Sequence, residues 1–161
     1  MQIFLPDPNV YFCASILDSR RVCKQIVEAY QILTGRFPNE NHPAILTYGN
    51  KPKFLAFYIN VFCEEYTKRY GKIHSIHEKI INYEKNSFID FPESEMKKVY
   101  FTHKINLLRK DFTYYSKVFT DIEENSLVNF PDGYYWLKYK KGGNGEKHSK
   151  KWNKFFIKNN F

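Results

Sequence analysis

The first long helical pattern in the chain carries polar side chains of the types that can act on a phosphorylated substrate. With 100° of rotation per residue, four polar residues fall within about 80° on one side of this helix, and Lys24 lies beside them. The four are Asp18, Arg21, Gln25 and Glu28. Arg21 and Lys24 could hold phosphates, and Gln25 could hydrogen-bond a base or sugar. Glu28 or Asp18 could transfer protons. Ordinary surface ion pairs would have the same spacing, and periodicity does not choose between the two interpretations.

The α-amine of Met1 is a second group that could react. Residues 1–6 lead directly into the structured part of the chain with no apolar leader, so we expect this amine to be held in place. An α-amine is less basic than a lysine side chain, and a larger fraction of it is therefore neutral and nucleophilic at pH 7. The bulky side chain of Gln2 predicts that the initiator methionine is retained.

Length and patterning predict a mainly α-helical domain of a few helices with long connections. A chain of 161 residues is the size of one domain, and alternating strand patterns are scarce. No apolar run approaches the roughly 20 residues that span a bilayer, so we expect no membrane partner. The odd number of cysteines (Cys13, Cys23 and Cys63), set in apolar helical patterns, predicts reduced, packed thiols and a cytoplasmic protein.

Positive charge is concentrated at the C-terminal end. The formal net charge is +8, and residues 138–161 contain eight lysines against a single acid, Glu146. We therefore divide the chain into a helical domain, residues 1–137, and a basic, aromatic tail, residues 138–161, that binds nucleic acid or another polyanion. A solvated tail that only maintains solubility is the alternative. The glycine-rich residues 142–145 lack the strand and the Lys-Ser/Thr ending of a phosphate loop and predict a flexible hinge.

The histidines and a second basic cluster indicate a function less clearly than the polar side of the first helix does. His42 precedes a proline in a loop and could be a turn hydrogen-bonder or a site residue. His74 and His77 are three residues apart without further ligands at metal-binding spacing, so we predict no metal site. Arg109 and Lys110 end another helical pattern and could form a phosphate clamp or an ordinary basic surface.

Four motifs occur in this order in the chain: residues 1–6, 17–33, 41–44 and 106–115. Taken together, they resemble a phage and bacterial branch of the pyrimidine-dimer DNA glycosylase (endonuclease V-like) family, and the resemblance covers residues 1–136. It implies a compact fold of a few helices in which the N-terminal segment is threaded between them. It also implies an enzyme that needs no metal or other cofactor.

In this family the free α-amine attacks the sugar C1′, expels the damaged base as a Schiff base forms, and nicks the strand by β-elimination. Matching the motifs places Met1 at the position of the amine and Lys24 at that of a phosphate-gripping arginine. Gln25 falls where the family has its catalytic glutamate, and an amide cannot accept and return a proton. The resemblance therefore predicts Met1 as nucleophile, Gln25 as a positioning group, and Glu28 as the acid and base.

These observations predict a monomeric DNA glycosylase with AP-lyase activity on double-stranded DNA that carries a damaged or modified base. It would act in the host cytoplasm if phage-encoded, or in the nucleus if it comes from a eukaryotic virus. The alternatives are a non-catalytic binder of nucleic acid or nucleotide with the same fold, and a receptor for a small phosphorylated molecule. The predicted DNA contacts are Arg21, Lys24, His42, Arg109, Lys110, Tyr135, Trp136, Lys138, Lys140 and Lys141.

Overall fold

The structure is a computed structural model that describes residues 1–161, and it confirms the mainly α-helical prediction. Helices hold 59% of the residues, and there are no strands. None of the helices has both the length and the apolar character needed to cross a membrane. The elements are α1 (Val10–Ile16), α2 (Ser19–Leu33), α3 (Pro43–Tyr48), α4 (Pro52–Tyr70), α5 (Ser75–Lys79), α6 (Glu93–Lys110), α7 (Phe112–Tyr115), a 3-10 helix (Glu124–Asn129) and α8 (Asn144–Lys158).

Capping residues, a proline and a glycine define the ends of α2 and α4, the helices that position the site. The side chain of Asp18 accepts a hydrogen bond from the backbone N–H of Arg21 and so caps the N-terminus of α2. Pro52 occupies the first turn of α4, where its missing N–H has no helical partner to lose. Gly71 ends the same helix with φ of 63°, a left-handed conformation that favours glycine. The predicted bounds of α4 are confirmed.

The core is built on the packing of α2 along α4. The centre of the apolar face of α2 is fully buried against α4, whereas Val27 at its edge is 40% exposed. The buried thiols of Cys63 in α4 and Cys13 in α1 belong to the same core. A single apolar cluster runs through all the long helices, so the chain folds around one core. Its members from α2 and α4 include Val22, Ile26, Ala29, Leu55, Ile59, Phe62 and Cys63.

The N-terminal segment is threaded between helices, as predicted. Residues 2–5 are buried and belong to no helix, so their backbone groups need partners from the surrounding helices. Three helices supply side chains that bond this backbone: Gln25 and Glu28 from α2, Tyr58 from α4 and His103 from α6. The start of the chain is therefore fixed relative to three helices at once.

The C-terminal segment packs on the same core. Trp152 and Phe156 of α8 are buried and belong to the apolar cluster of the other helices. The Trp152 ring meets Phe101 of α6 edge-on, with ring centres 6.2 Å apart. The glycine-rich residues 142–145, predicted as a hinge, contain the first residues of α8. Residues 138–161 therefore lie against the helical domain and leave their lysines on the surface.

Candidate active site

The α-amine of Met1 lies beside the carboxylate of Glu28. The amine nitrogen is 3.8 Å from Oε1 of Glu28. The Met1 side chain is only 1% exposed, although the residue as a whole is half-buried, so its exposed part is the main chain. The thioether is thus an anchor in the core, and the amine end faces a cleft.

Glu28 is held by different partners at its two oxygens. Oε2 accepts a hydrogen bond from the backbone N–H of Gln2 at 3.1 Å and from the side-chain amide of Gln25 at 3.4 Å. Oε1 faces two cations, the Met1 amine and the Lys24 ammonium, the latter at 3.7 Å. Neutral donors therefore fix Oε2, whereas Oε1 faces the two amino groups with which it can exchange protons.

Gln25 is a buried positioning residue. Its Oε1 accepts hydrogen bonds from the backbone N–H of Phe4 at 2.8 Å and from the Tyr58 hydroxyl at 2.7 Å. Its Nε2 donates to Glu28. The amide therefore ties the N-terminal segment, α4 and the Glu28 carboxylate together. A carboxylate in its place could accept the first two bonds but could not donate the third.

His103 supports the same segment from the other side. Its Nδ1 accepts the backbone N–H of Leu5 at 2.8 Å, and its Nε2 contacts the side-chain amide of Gln2. Burial lowers the pKa of His103 to about 3, so the ring is neutral at physiological pH. A neutral ring that accepts at Nδ1 carries its proton on Nε2. His103 thus fixes the backbone next to Met1 without adding charge there.

The groups at the amine line a cleft of about 280 Å³, which we call the amine cleft. Its cations come from α2 and the end of α6. Burial lowers the pKa of Lys110, and the nearby cations Arg21 and Lys24 lower it further. The residues that define the cleft are Met1, Glu28, Arg20, Arg21, Lys24 and Lys110.

Arg21 is oriented by a fixed carboxylate. Asp18 binds its guanidinium, and the Tyr115 hydroxyl donates to Oδ2 of Asp18 at 2.7 Å. Burial raises the pKa of Asp18, but the hydrogen bonds from Arg21 and Tyr115 outweigh it, and the net shift is downward. Asp18 therefore stays ionised and serves as a helix cap and an anchor for Arg21.

A second cleft of about 550 Å³ adjoins the first, and we call it the aromatic cleft. Both clefts share Met1 and Tyr134, so the amine lies where they meet. Burial lowers the pKa of His42, and the charge of the Met1 amine lowers it further, in agreement with its place next to the amine. The residues that define this cleft are Asn41, His42, Tyr134, Trp136, Lys140 and His148.

The structure does not bring the remaining predicted contacts to either cleft. The guanidinium of Arg109 is occupied by three backbone carbonyls at 2.7 to 2.9 Å, those of Leu127, Phe130 and Pro131. Tyr135 is buried and its hydroxyl bonds Glu95. Both residues hold the 127–136 segment in place. Lys138 lies 5.9 Å from the centre of the Phe91 ring, and Lys141 is exposed.

Sequence reasoning missed Arg20 and Tyr134. Arg20 stands four residues before Lys24, so the i, i+4 spacing of α2 could have placed it on the same face. Tyr134 stands next to two aromatic residues that were predicted as contacts, and nothing in the sequence distinguishes it from Tyr135.

His74 and His77, which the sequence analysis considered as metal ligands, bond neighbouring groups of the protein instead. Nδ1 of His74 accepts the backbone N–H of Ile76 and caps α5, while His77 pairs with the side chain of Asn60 at 3.2 Å. No group of three histidine, cysteine, aspartate or glutamate side chains comes together at a spacing that could hold a metal ion.

Comparison with known proteins gives one family match. Residues 1–79 match the model of the pyrimidine dimer DNA glycosylase family. The family resemblance predicted from the sequence is confirmed over these residues. The matched region supplies Met1, Gln25 and Glu28, whereas Lys110 and Tyr134 lie beyond it. No match was found among curated proteins or among solved structures.

Proposed function

We propose that this protein is a DNA glycosylase with associated AP-lyase activity, in which the α-amine of Met1 is the nucleophile. The observation that carries the proposal is the 3.8 Å separation between that amine and the Glu28 carboxylate, at the edge of a cationic cleft. An amine next to a proton acceptor is an activated nucleophile. The family match over residues 1–79 supports a DNA substrate that carries a damaged base.

The proposed reaction uses the two groups in turn. The neutral amine of Met1 forms a bond to C1′, and the damaged base leaves with the electrons of the glycosidic bond and takes up a proton. The nitrogen loses one proton, the C1′–O4′ bond then breaks, and O4′ takes up a proton. The product is a protonated imine at C1′, which can accept electrons in the next step. A proton then leaves C2′, the C3′–O bond breaks, and the 3′ phosphate departs with its electrons. Glu28 would accept the amine proton at Oε1 and return protons to the leaving groups.

Phosphate binding in this proposal falls to the cations of the amine cleft, namely Arg20, Arg21, Lys24 and Lys110. Arg109 is left out because its guanidinium already bonds three carbonyls inside the protein. Phosphate contacts fix the register of the duplex and carry no base preference. The choice of base must therefore come from other residues.

Borohydride trapping on a duplex with one abasic site tests the proposal. We expect a covalent adduct with the full-length protein, and we expect acetylation of the α-amine to abolish it while duplex affinity changes less than threefold. Glu28→Gln should lower the adduct yield at least tenfold. Glu124→Gln, an exposed glutamate on the 3-10 helix, is the matched control and should leave the yield unchanged. The absence of an adduct with the unmodified protein would refute the amine mechanism.

A non-catalytic binder with the same fold is the second candidate. It is favoured by Gln25, an amide that makes three hydrogen bonds within the protein and stands where the family resemblance places a glutamate. This candidate predicts abasic-duplex binding without an adduct or strand cleavage. It also predicts that Glu28→Gln changes no activity, so the same trapping series separates the two.

A further inference from the structure

We propose that the outer face of the N-terminal half of α6 binds a second copy of this chain. The residues that define this surface, which we call the α6 face, are Ile89, Phe91, Glu93, Met96, Lys97 and Tyr100. None of them lines the amine cleft or the aromatic cleft, so this interface is separate from the proposed reaction. It replaces the monomeric state predicted from the sequence with a dimer.

Two adjoining clefts lie along the α6 face. One has a volume of about 390 Å³ and is lined mainly by apolar side chains. The other has a volume of about 650 Å³ and includes Phe161, the last residue of the chain, in its wall. Glu93 and Lys97 line both clefts, so the two are continuous and this ion pair lies where they meet. The α6 face is therefore an extended groove rather than a closed ligand pocket.

Exposed aromatic rings lie beside both clefts. Phe88 is 68% exposed and directly precedes Ile89 of the first cleft. Phe161 is 53% exposed and lines the second cleft. Neighbouring apolar groups with charged residues around them are typical of protein–protein interfaces, because covering them removes apolar area from water. The α6 face therefore has apolar groups to bury as well as clefts that can receive them.

The near-neutral charge of this region favours a second copy of the chain over nucleic acid. Residues 80–98 contain four acidic residues and three lysines, although the chain as a whole has a net charge of +8. Two copies of so basic a protein repel each other at most contacts, and a charge-balanced surface is where the repulsion is lowest. The same balance leaves the region with little attraction for phosphates. Protein, rather than DNA, is thus the partner that the α6 face fits.

The pair of Glu93 and Lys97 makes the α6 face complementary to a copy of itself. Nζ of Lys97 lies 3.0 Å from Oε1 of Glu93, one turn apart on α6, and both side chains are mostly exposed. In a twofold dimer, if residue i of one copy contacts residue j of the other, then j also contacts i. Two α6 helices that meet antiparallel can therefore place Glu93 of each copy opposite Lys97 of the other.

The neighbouring charges on α6 are already used within the chain. Oε1 of Glu95 pairs with Lys98 at 2.7 Å, and Oε2 of the same residue accepts the Tyr135 hydroxyl. Glu93 and Lys97 form an ion pair only with each other. Because an ammonium has three donors and a carboxylate accepts at two oxygens, both groups can bond a second copy as well. They are thus the charged residues of α6 that are available for the interface.

Sedimentation equilibrium of the full-length protein tests the proposal. A face built from half a helix and a short loop predicts a weak dimer, with the monomer mass at about 1 μM protein and the dimer mass at about 100 μM. A monomer mass over the whole range would overturn the interface. A mass that keeps rising beyond the dimer would also overturn it, since a twofold contact closes and a head-to-tail contact does not.

A charge swap tests the contact between the two copies. Lys97→Glu and Glu93→Lys each place like charges opposite one another, and each should raise the dimer dissociation constant at least tenfold. The double variant restores opposite charges across the twofold axis, so its dissociation constant should return to within threefold of that of the unmodified protein. A double variant that stays monomeric would overturn the antiparallel arrangement, because its net charge equals that of the unmodified protein.

Variants outside the α6 face are the controls. Lys72→Glu and Glu124→Lys make the same charge changes at exposed positions and should leave the dissociation constant unchanged. Phe88→Ser should raise it at least fivefold, whereas Val128→Ser, at a residue that is 85% exposed on the 3-10 helix, should not. Equal effects inside and outside the α6 face would overturn the proposal, because association would then follow net charge or general surface apolarity.

Trapping on an abasic duplex separates this proposal from the proposed function. The α6-face variants should form the borohydride adduct as the unmodified protein does, because the face lies outside both clefts. A protein that dimerises but forms no adduct would refute the amine mechanism and leave the interface standing. A protein that forms the adduct but stays monomeric would overturn the interface alone.

Discussion

Gln25 and Glu28 form a hydrogen-bonded pair on α2, with Nε2 of Gln25 3.4 Å from Oε2 of Glu28. Gln25 stands where the family resemblance places a glutamate, and Glu28 lies one turn further along the same helical face. In the proposed mechanism, Glu28 therefore supplies the carboxylate, and the amide of Gln25 orients it by donating a hydrogen bond.

The first prediction concerns this pair. Gln25→Glu should destabilise the protein by about 1–3 kcal/mol, because the donor to Glu28 is lost and two carboxylates then share a buried site. The abasic-DNA adduct should decrease at least tenfold at pH 7. Urea unfolding and borohydride trapping measure the two effects, and Gln31→Glu on the same helix is the control. A variant as stable and as reactive as the unmodified protein would contradict the positioning role.

The second prediction concerns the length of the N-terminus. One added residue before Met1 moves the reactive nitrogen by up to about 3.8 Å, the distance between consecutive Cα atoms. Because residues 2–5 are fixed by three helices, the segment cannot slide to compensate. We expect adduct formation to decrease at least a hundredfold with little change in unfolding free energy. One residue added at the C-terminus is the control. Retained trapping would show that the nucleophile is another amine.

The third prediction concerns pH. Burial lowers the pKa of His103 to about 3, below the ordinary value near 6.5 that it has in the unfolded chain. Between these values the unfolded state binds a proton that the folded state does not, so stability decreases as the pH is lowered. The slope from this residue is at most about 1.4 kcal/mol per pH unit. Urea unfolding between pH 6.5 and pH 5 should show it.

His103→Gln is the variant that isolates this effect, since an amide can accept the Leu5 N–H but does not titrate. Its pH slope should be lower than that of the unmodified protein even if its stability at pH 7 is reduced. The control is His148→Gln, because the His148 ring contacts a carbonyl at the protein surface. This variant should keep the same dependence of unfolding free energy on pH as the unmodified protein. Equal slopes in all three proteins would show that His103 titrates normally.

The sequence predicted those features that depend on local chemistry and on family motifs. The mainly α-helical fold, the bounds of α4 and the threaded N-terminal segment all followed from patterns in the chain. The proximity of Met1 and Glu28 followed from combining the helical stripe with the family resemblance. Each of these signals lies within a short stretch of residues.

The sequence could not show which of two adjacent residues lines a cleft and which bonds inside the protein. Arg109 and Lys110 are consecutive, yet Arg109 bonds the carbonyls of the 127–131 segment and Lys110 lines the amine cleft. Tyr134 and Tyr135 differ in the same way, one in the clefts and one bonded to Glu95. Their roles are set by segments distant along the chain, and periodicity holds no information about those contacts.

The last prediction concerns the exposed lysines of α8. Lys147, Lys151 and Lys154 follow an i, i+4, i+7 stripe, and α8 begins at the aromatic cleft. These lysines form no ion pair with an acid, whereas Lys150 pairs with Glu146 at 2.9 Å. Trp152 and Phe156 pack the helix on the core, and we expect the stripe to lie beside a duplex bound at Met1.

Each phosphate that a lysine neutralises contributes about 0.9 to the slope of log affinity against log salt concentration. Replacing Lys147, Lys151 and Lys154 with glutamine should therefore lower that slope by about 2–3, measured on an abasic duplex between 50 and 200 mM salt. Adduct formation at saturating DNA should be unchanged, because the stripe does not contact the amine. Glutamine at the exposed Lys68, Lys72 and Lys79 is the matched control and should leave the slope as it was. An equal loss in both variants would mean that α8 contributes only net charge.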